Sequence, residues 1–393
     1  MLKAILNEPT ARLTLVMSSL YAALGVTLPY LPRWLEDERA LSGPEIGAIA
    51  SAAPIARIII GPMLATWADG FRDRRAPVVV LCLLGLVFYG LMFSAHGFWA
   101  LFAFCFLAMT FSQAAAPLVE GATLRASAMG RLPFGAARGI ASATFILANV
   151  VGGALIASFG VRVAPFWVLA SLAAAALAGW LVVKPEPAPD RAAALGFRGR
   201  LKVGVSLLKA PVFLRVLAAS GLIQAAHGFY YGFSVLVWGD QGISATTIGL
   251  LWGFAVAVEV VFLASLPIIE RRLSPEALLI IGGAGALVRW SLMAFAPTGF
   301  ALWPLQALHA LSFAAAHVGA LRLVMRSAPE EVSGLAQTFY ASLASGALLG
   351  LATLASGYLY NLFGAGGYAA MAVMAGAGLA IAAPLGSVGL ARR

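Results

Sequence analysis

Ionisable residues lie inside several long apolar stretches of this chain, among them Glu259, Arg289 and His309. A charge at bilayer depth costs about 2.5–3.5 kcal/mol on insertion scales, so it normally faces a cavity or a partner. A carboxylate in such a place can exchange protons while a neighbouring arginine tunes its proton affinity. Glu259 is therefore the candidate proton carrier and Arg289 its candidate partner, although a static structural ion pair would use the same two residues.

Histidines supply the next candidates. An imidazole such as His309 can couple to proton movement, although a neutral histidine that packs between helices is the alternative. His227 is followed by Tyr230 and Tyr231, which places a hydrogen-bonding group beside aromatic surface, as a ring-bearing acid would require; aromatic residues at helical spacing also simply pack. His317 lies about 80° around an α-helix from His309, and we expect it to pack rather than to act.

Twelve apolar stretches of about 20 residues must position these side chains, the length at which a helix spans a bilayer. The chain is 61% hydrophobic and 11% charged, and its mean hydropathy of +0.92 exceeds what a water-soluble fold could bury. Backbone hydrogen bonds must be satisfied within the bilayer, so the stretches should be helices. The sequence predicts an all-α polytopic membrane protein with spans near 13–34, 45–68, 77–95, 99–122, 138–159, 164–183, 212–236, 246–269, 276–296, 300–325, 333–359 and 366–387.

The basic residues indicate how the chain is oriented. Most of the 26 Lys and Arg crowd into alternate gaps between the spans, including 72–75 and the central stretch 184–215. This pattern predicts a multi-pass protein of the cell inner (cytoplasmic) membrane with both termini in the cytoplasm. Topology thus accounts for the net charge of +10, and the dispersed basic residues do not indicate a nucleic-acid surface.

The two halves of the chain repeat one another. The segments 42–47 and 244–249 both read Ser-x-x-x-Ile-Gly, where the serine caps a helix that enters the next span. A polar linker at 184–210 separates the halves, so we expect two pseudo-symmetric six-helix bundles at 1–183 and 211–393. Six plus six spans in parallel halves is the organisation of rocker-type carriers.

Motifs throughout the chain resemble one transporter superfamily. Those of the first half are similar to the lactose permease branch of the major facilitator superfamily; they are Pro29-Tyr-Leu-Pro32-Arg-Trp34-Leu, the turn with Gly61, Asp69, Arg74 and Arg75, and Phe134-Gly135-Ala-Ala-Arg138. Those of the second half are similar to the 3-phenylpropionate permease family, taken to be proton-coupled carriers of aromatic acids; they are Gln224-Ala-Ala-His227-Gly-Phe-Tyr-Tyr-Gly-Phe-Ser234, Val258-Glu259-Val260, Val288-Arg289-Trp290, Gln306-Ala-Leu-His309 and His317-Val-Gly-Ala-Leu-Arg322. The resemblance covers essentially the whole chain.

The resemblance implies roles for several residues. It matches His309 to the histidine of lactose permease that links sugar binding to proton movement. The carboxylate one turn later is replaced by Ser312, and the lysine before it by Gln306, so the proton chemistry is expected at Glu259 instead. Substrate contacts are then expected from His227, Tyr231 and Gln306.

In the first half, Glu120 and Arg138 match the carboxylate and arginine that clasp the sugar in lactose permease; an interfacial salt bridge is the alternative. The turns implied to gate the cytoplasmic side carry Asp69, Arg74 and Arg75 in the first half and Glu270 and Arg271 in the second.

The sequence shows no zinc-protease, Walker, dinucleotide-binding or Cys/His metal pattern, so we expect no enzyme, cofactor or metal. The expected function is proton-coupled symport (uptake) of a small organic acid, an aromatic carboxylate such as phenylpropionate, by a monomer in the lipid bilayer. The alternatives are a proton-coupled sugar or nucleoside symporter and a drug or metabolite exporter. An intramembrane enzyme and a sensor without transport are the readings from other classes.

Overall fold

The computed structural model describes residues 9–71, 73, 75–129, 133–181, 183, 207, 209–328 and 333–390. Spans 1 to 6 are the helices Pro9–Arg39, Gly43–Asp69, Arg75–Ser94, Phe98–Met129, Phe134–Phe159 and Val163–Leu181. Span 7 consists of Pro211–Ala225 and Gly228–Asp240, span 8 of Ala245–Ala264 and Leu266–Ile269, and span 9 of Pro275–Met293. Span 10 runs through Gly299–Ala301, Leu302–Ala307, Ala310–Ala315 and Ala316–Ser327, span 11 through Ser333–Ser342, Leu343–Leu348 and Leu349–Phe363, and span 12 is Tyr368–Leu390.

The length and composition of these helices fit a bilayer. Within the described residues, eleven helical stretches are long and apolar enough to cross a membrane. The last, Ala336–Leu385, has 50 residues and would be ~75 Å long as one helix, more than twice the hydrocarbon thickness. It turns at Gly364, where φ is 52°, so it makes two crossings. The predicted all-α fold of twelve spans is confirmed.

The repeated Ser-x-x-x-Ile-Gly segments begin helices in both halves, as predicted, but with different bonds. Glu45 reaches back to accept from the backbone N–H of Ser42 (2.9 Å) and from its hydroxyl (2.6 Å). In the second half, the Ser244 hydroxyl accepts from the Thr247 backbone N–H at 3.2 Å. Either arrangement satisfies donors that the first helical turn leaves without partners.

The described residues form two compact units. One holds those within Met1–Ala53, Ile59–Pro189 and Ser234–Gly253, and the other those within Pro54–Ile58, Asp190–Phe233 and Phe254–Arg393. In the first unit, span 1 packs against spans 5 and 6, and span 3 against spans 4 and 6. In the second unit, span 9 packs against spans 10 and 12, and span 7 against spans 10, 11 and 12. The domain limits predicted from the sequence stay a prediction, and the linker 184–210 lies outside the described residues apart from 207, 209 and 210.

Within the first unit, the start of span 8 approaches span 5 closely. The buried Tyr30 hydroxyl donates to the backbone oxygen of Ala245 at 3.2 Å and lies 3.5 Å from that of Asn149. A Cβ added at Gly249 would lie 2.9 Å from the same hydroxyl and closer still to the Asn149 backbone oxygen. The two helix backbones can therefore meet only because residue 249 has no side chain.

This contact yields a prediction about stability. Gly249→Ala should lower the free energy of unfolding by about 1–3 kcal/mol, because the added methyl group meets backbone that cannot rotate away. Gly139→Ala is the matched control, since a Cβ at that exposed position in span 5 meets nothing within 4 Å. Thermal unfolding of both variants in detergent measures the difference; equal melting temperatures would show that the close approach is not needed for stability.

Candidate functional site

A break in span 7 presents the first site residue. The helix stops at Ala225 and resumes at Gly228, and His227 occupies the turn between. A Cβ at Gly228 would lie 2.8 Å from the backbone nitrogen of Thr353 in span 11, so glycine allows these spans to approach at the break. Discontinuous helices of this kind expose backbone and side chains where transporters bind ligands.

Arg289 of span 9 is the centre of the site. Its side chain is fully buried, and its guanidinium contacts three side chains of span 10: Nη1 lies 2.9 Å from His309 Nδ1 and 3.2 Å from Ser312 Oγ, and Nη2 lies 2.9 Å from Gln306 Oε1. No carboxylate of the described residues lies within 4 Å of it. A buried cation is thus held by neutral acceptors, which must supply the stabilisation that water would have given.

The donors of Arg289 fix the tautomer of His309. A guanidinium has only N–H donors, so His309 Nδ1 must accept and the proton of the neutral ring must lie on Nε2. That Nε2 lies 3.3 Å from Glu259 Oε2, and the Glu259 side chain is 19% exposed. His309 therefore stands between Arg289 and Glu259, and one imidazole connects the predicted proton carrier to the predicted tuning residue.

A second chain of bonds leads from Arg289 to His227. The Nδ1 of His227 lies 3.1 Å from the backbone oxygen of Gln224, so Nδ1 carries the proton and donates. Nε2 must then accept, and it lies 3.3 Å from Ser312 Oγ. The serine hydroxyl can accept from Arg289 and donate to His227 at the same time, which links spans 7, 9 and 10.

Aromatic rings surround this network. The Arg289 guanidinium lies over the rings of Tyr230 and Trp290, at 4.7 and 4.5 Å from their centroids. The Tyr230 hydroxyl donates to Gln306 Oε1 at 3.0 Å, and the Tyr231 ring lies 5.7 Å from the His227 ring. Cation–π contacts stabilise a desolvated arginine by about 2 kcal/mol or more, so the rings assist the neutral acceptors.

Span 10 departs from α-helical geometry at the site. Residues Ala310–Ala315 form a π-helical turn directly after His309, and a second such turn, Leu343–Leu348, lies in span 11. The Gln224 side chain donates to the backbone oxygen of Phe313 at 3.2 Å within the first π-turn. Turns of this type are rare and occur often at functional sites.

The first unit contains the other predicted pair. Glu120 Oε1 accepts from Arg138 Nη1 at 2.9 Å and from the Tyr21 hydroxyl at 3.0 Å. The Arg138 guanidinium also lies 4.7 Å from the centre of the Tyr21 ring. The Glu120 and Arg138 side chains are 34% and 42% exposed, so a ligand could reach them.

The residues predicted to gate the cytoplasmic side do not form one cluster within either unit but make separate contacts. Arg75 bonds to Asp73 at 3.0 Å and to the Trp180 backbone oxygen at 3.1 Å, while Asp69 ends span 2 in an exposed position. Arg74 lies outside the described residues. Glu270 pairs with Arg322 of span 10 at 2.6 Å, and Arg271 is exposed on the following turn.

The structure brings five of the predicted site residues together in one unit, joined directly or through one residue: Glu259, Arg289, His309, Gln306 and His227. The roles predicted for them stay predictions. The sequence did not indicate roles for Ser312 or Trp290. A signal was present, because Ser312 follows His309 by three residues and so shares its helix face. In the described part of the chain, no group of three or more His, Cys, Asp or Glu is placed to hold a metal ion.

Comparisons with known proteins agree with this architecture. A protein described as a probable 3-phenylpropionic acid transporter of Escherichia coli (strain K12) is 28% identical over 371 residues, which cover 94% of this chain and 96% of the relative. A maltose permease of Geobacillus stearothermophilus is 28% identical over 345 residues, covering 86% and 85%. The crystal structure of the nucleoside transporter NupG matches with a TM-score of 0.79 at 15% identity over 96% of this chain and 98% of that one, which shows a shared fold.

Residues 11–369 match the MFS_1 like family. This match spans most of the chain and nearly all of its helices. The family and the structural neighbours are transporters and not enzymes. The chain therefore belongs to the MFS_1 like family of the major facilitator superfamily and is a multi-pass membrane transporter.

Proposed function

We propose that this transporter is a proton-coupled symporter that takes up a small aromatic carboxylate by alternating access. Glu259 carries the proton, and Arg289 acts on it through His309. His227, Tyr231 and Gln306 contribute to the substrate site of the second unit. Glu120 and Arg138 are proposed substrate contacts within the first unit.

The observation that supports this proposal most is the contact of Glu259 with the N–H face of His309 (3.3 Å). Because Arg289 occupies the other ring nitrogen, His309 cannot take a second proton there without facing a cation. The carboxylate is then the group of this network that can gain and lose a proton. It is also partly exposed, so protons can reach it.

The substrate class rests on unpaired donors and on aromatic surface. Among the described residues, Gln306 Nε2 and Arg289 Nε are buried without a hydrogen-bond partner. Buried donors without acceptors are costly, and a carboxylate that reaches this region would supply acceptors and a compensating charge. Tyr230 and Tyr231 offer ring surface beside it, and the name of the Escherichia coli relative describes a phenylpropionic acid transporter.

We further propose that the protein lies in the cell inner membrane as a monomer. Those ends of the spans that carry most of the Lys and Arg residues then face the cytoplasm, and so do both termini. The Glu270–Arg322 pair, at 2.6 Å, then lies on the cytoplasmic side. It opens and closes with the transport cycle, as does the turn that carries Asp69 and Arg75.

A sugar is the second candidate substrate. The Glu120 carboxylate, Arg138 guanidinium and Tyr21 ring combine an acceptor, a donor and a ring face, which suits a hydroxyl-rich pyranose. The maltose permease relative adds to this possibility.

The substrate proposal predicts the outcome of an uptake screen. In proteoliposomes given an inward proton gradient, 3-phenylpropionate should accumulate, whereas maltose and nucleosides assayed in parallel should not. A protonophore should abolish the accumulation, because uphill uptake draws on the gradient. Accumulation of maltose alone would instead establish the second candidate, and gradient-independent uptake would exclude proton coupling.

The proton-carrier proposal predicts a separation of two activities in Glu259→Gln. Concentrative uptake should be lost, because a carrier that cannot release its proton cannot return empty. Counterflow of substrate should persist, since exchange requires only the protonated, loaded form that glutamine imitates. Both are measured in proteoliposomes that contain equal amounts of protein.

The matched control is Glu276→Gln, which removes a buried carboxylate of the same unit that is bonded to Arg326 and lies outside the network. It should retain concentrative uptake. Wild-type accumulation in Glu259→Gln would assign a structural role to Glu259 and move the search for the proton site to Glu120 or the histidines.

A further inference from the structure

The proposed function does not use Arg57, which lies in the middle of span 2. We propose that Arg57 binds the carboxylate of the incoming aromatic acid and thereby selects anions over neutral ring compounds. This inference rests on the proposed function and names the residue that recognises the charge of the substrate.

The position of Arg57 along span 2 places its charge deep in the bilayer. It lies about 20 Å from either end of the helix Gly43–Asp69 at 1.5 Å per residue. The hydrocarbon core is ~30 Å thick, so the side chain starts too deep to snorkel to the interface. A guanidinium at this depth avoids lipid and faces water or polar groups inside the protein.

The face of span 2 that carries Arg57 is the protein-facing side of the helix. Ile46 and Ala53 lie within about 40° of Arg57 around the helix, and both are buried. Ile59 and Met63 lie more than about 100° away, are 69% and 64% exposed, and mark the lipid-facing side. Arg57 is exposed although it shares the face of the buried residues. Its exposure is therefore to a water-accessible space inside the protein and not to lipid.

Span 11 lies next to this part of span 2 within the second unit. The segment Pro54–Ile58 belongs to that unit, and a Cβ added at the buried Gly346 would lie 3.3 Å from the Pro54 backbone oxygen. Gly346 is part of the π-turn Leu343–Leu348. Turns of this type occur often at functional sites, and this one places span 11 against the helical turn that precedes Arg57.

The same span leads directly to the proposed substrate site. Thr353 of span 11 approaches Gly228, since a Cβ at that glycine would lie 2.8 Å from the Thr353 backbone nitrogen. Gly228 borders the break of span 7 that His227 occupies. Gly346 and Thr353 are about 10 Å apart along the axis of span 11. An acid bound at Arg57 is therefore within a short distance of His227 in the same unit.

An arginine suits this role chemically. The guanidinium offers parallel N–H donors that match the two oxygens of a carboxylate, and such charge-assisted bonds are about twice as strong as neutral ones. Arg289 is fully buried and already donates to three side chains, so a substrate arriving from water does not meet it first. Arg57 is exposed and can be reached directly.

The test compares the affinities of the purified transporter in detergent for 3-phenylpropionate and for its neutral primary amide, by isothermal titration calorimetry at neutral pH. The wild type should bind the acid about tenfold or more tightly than the amide, which lacks the charge. Arg57→Gln should lose about tenfold in affinity for the acid, while its affinity for the amide stays within about twofold of wild type. Arg57→Lys keeps the charge without the planar fork, so it should recover part of the affinity for the acid.

Arg162→Gln is the matched control. This arginine lies between spans 5 and 6, its side chain is 79% exposed, and it pairs with Glu38 at 2.8 Å. Exposed pairs contribute little to stability, so the substitution should change neither affinity.

Three results would overturn the role of Arg57. They are equal affinities of the wild type for acid and amide, wild-type affinity of Arg57→Gln for the acid, and equal losses for both compounds in Arg57→Gln that Arg57→Lys does not recover. The last of these would assign Arg57 a structural role. Binding of maltose but not of 3-phenylpropionate by the wild type would instead show that the proposed substrate class itself is wrong.

Discussion

The buried guanidinium of Arg289 is the constraint on which the second unit depends. It can only donate, and it is fully buried, so each neighbour must present an acceptor. Hydrogen bonds consequently run outward from it in three directions: through His309 to Glu259, through Ser312 to His227, and to Gln306, which also accepts from Tyr230. The cation thereby sets the tautomer of His309, whereas the backbone oxygen of Gln224 sets that of His227.

Meeting this constraint accounts for the irregular helices nearby. Span 7 breaks at His227, and span 10 passes into a π-turn after His309. Each irregularity changes the rotation of the helix where a side chain must point at the guanidinium or its partners. Gly228 lets span 11 approach the break, so the departure from α-helical geometry does not leave a void. Such geometry is tolerated at membrane depth only where surrounding protein satisfies the backbone.

The sequence was sufficient for the fold, but it did not predict the contacts among the candidate site residues. Hydropathy locates spans because the bilayer imposes a length, and the cost of buried charge singles out Glu259 and Arg289. The interposition of His309 could not be foreseen, because it depends on side-chain reach across spans 8, 9 and 10. The parallel stacking of the His309, Phe313 and His317 rings, with centroids 5.1 and 6.0 Å apart, could not be foreseen for a related reason. Periodicity arguments assume 3.6 residues per turn, and the π-turn Ala310–Ala315 violates that assumption.

The serine at position 312 bears on the proposed role of Glu259 as the proton carrier, which requires this carboxylate to change its charge near a buried cation. The attraction between opposite charges is about 4 kcal/mol at 4 Å for an effective dielectric of 20, and it falls in inverse proportion to the distance between them. A carboxylate in direct contact with Arg289 would be held in its charged form by most of that energy. Here Ser312 gives Arg289 a neutral acceptor instead, and Glu259 lies one imidazole away. Neutralising Glu259 therefore costs less free energy than it would in direct contact with Arg289. Because Arg289 polarises the His309 ring, its charge still acts on Glu259 through that ring.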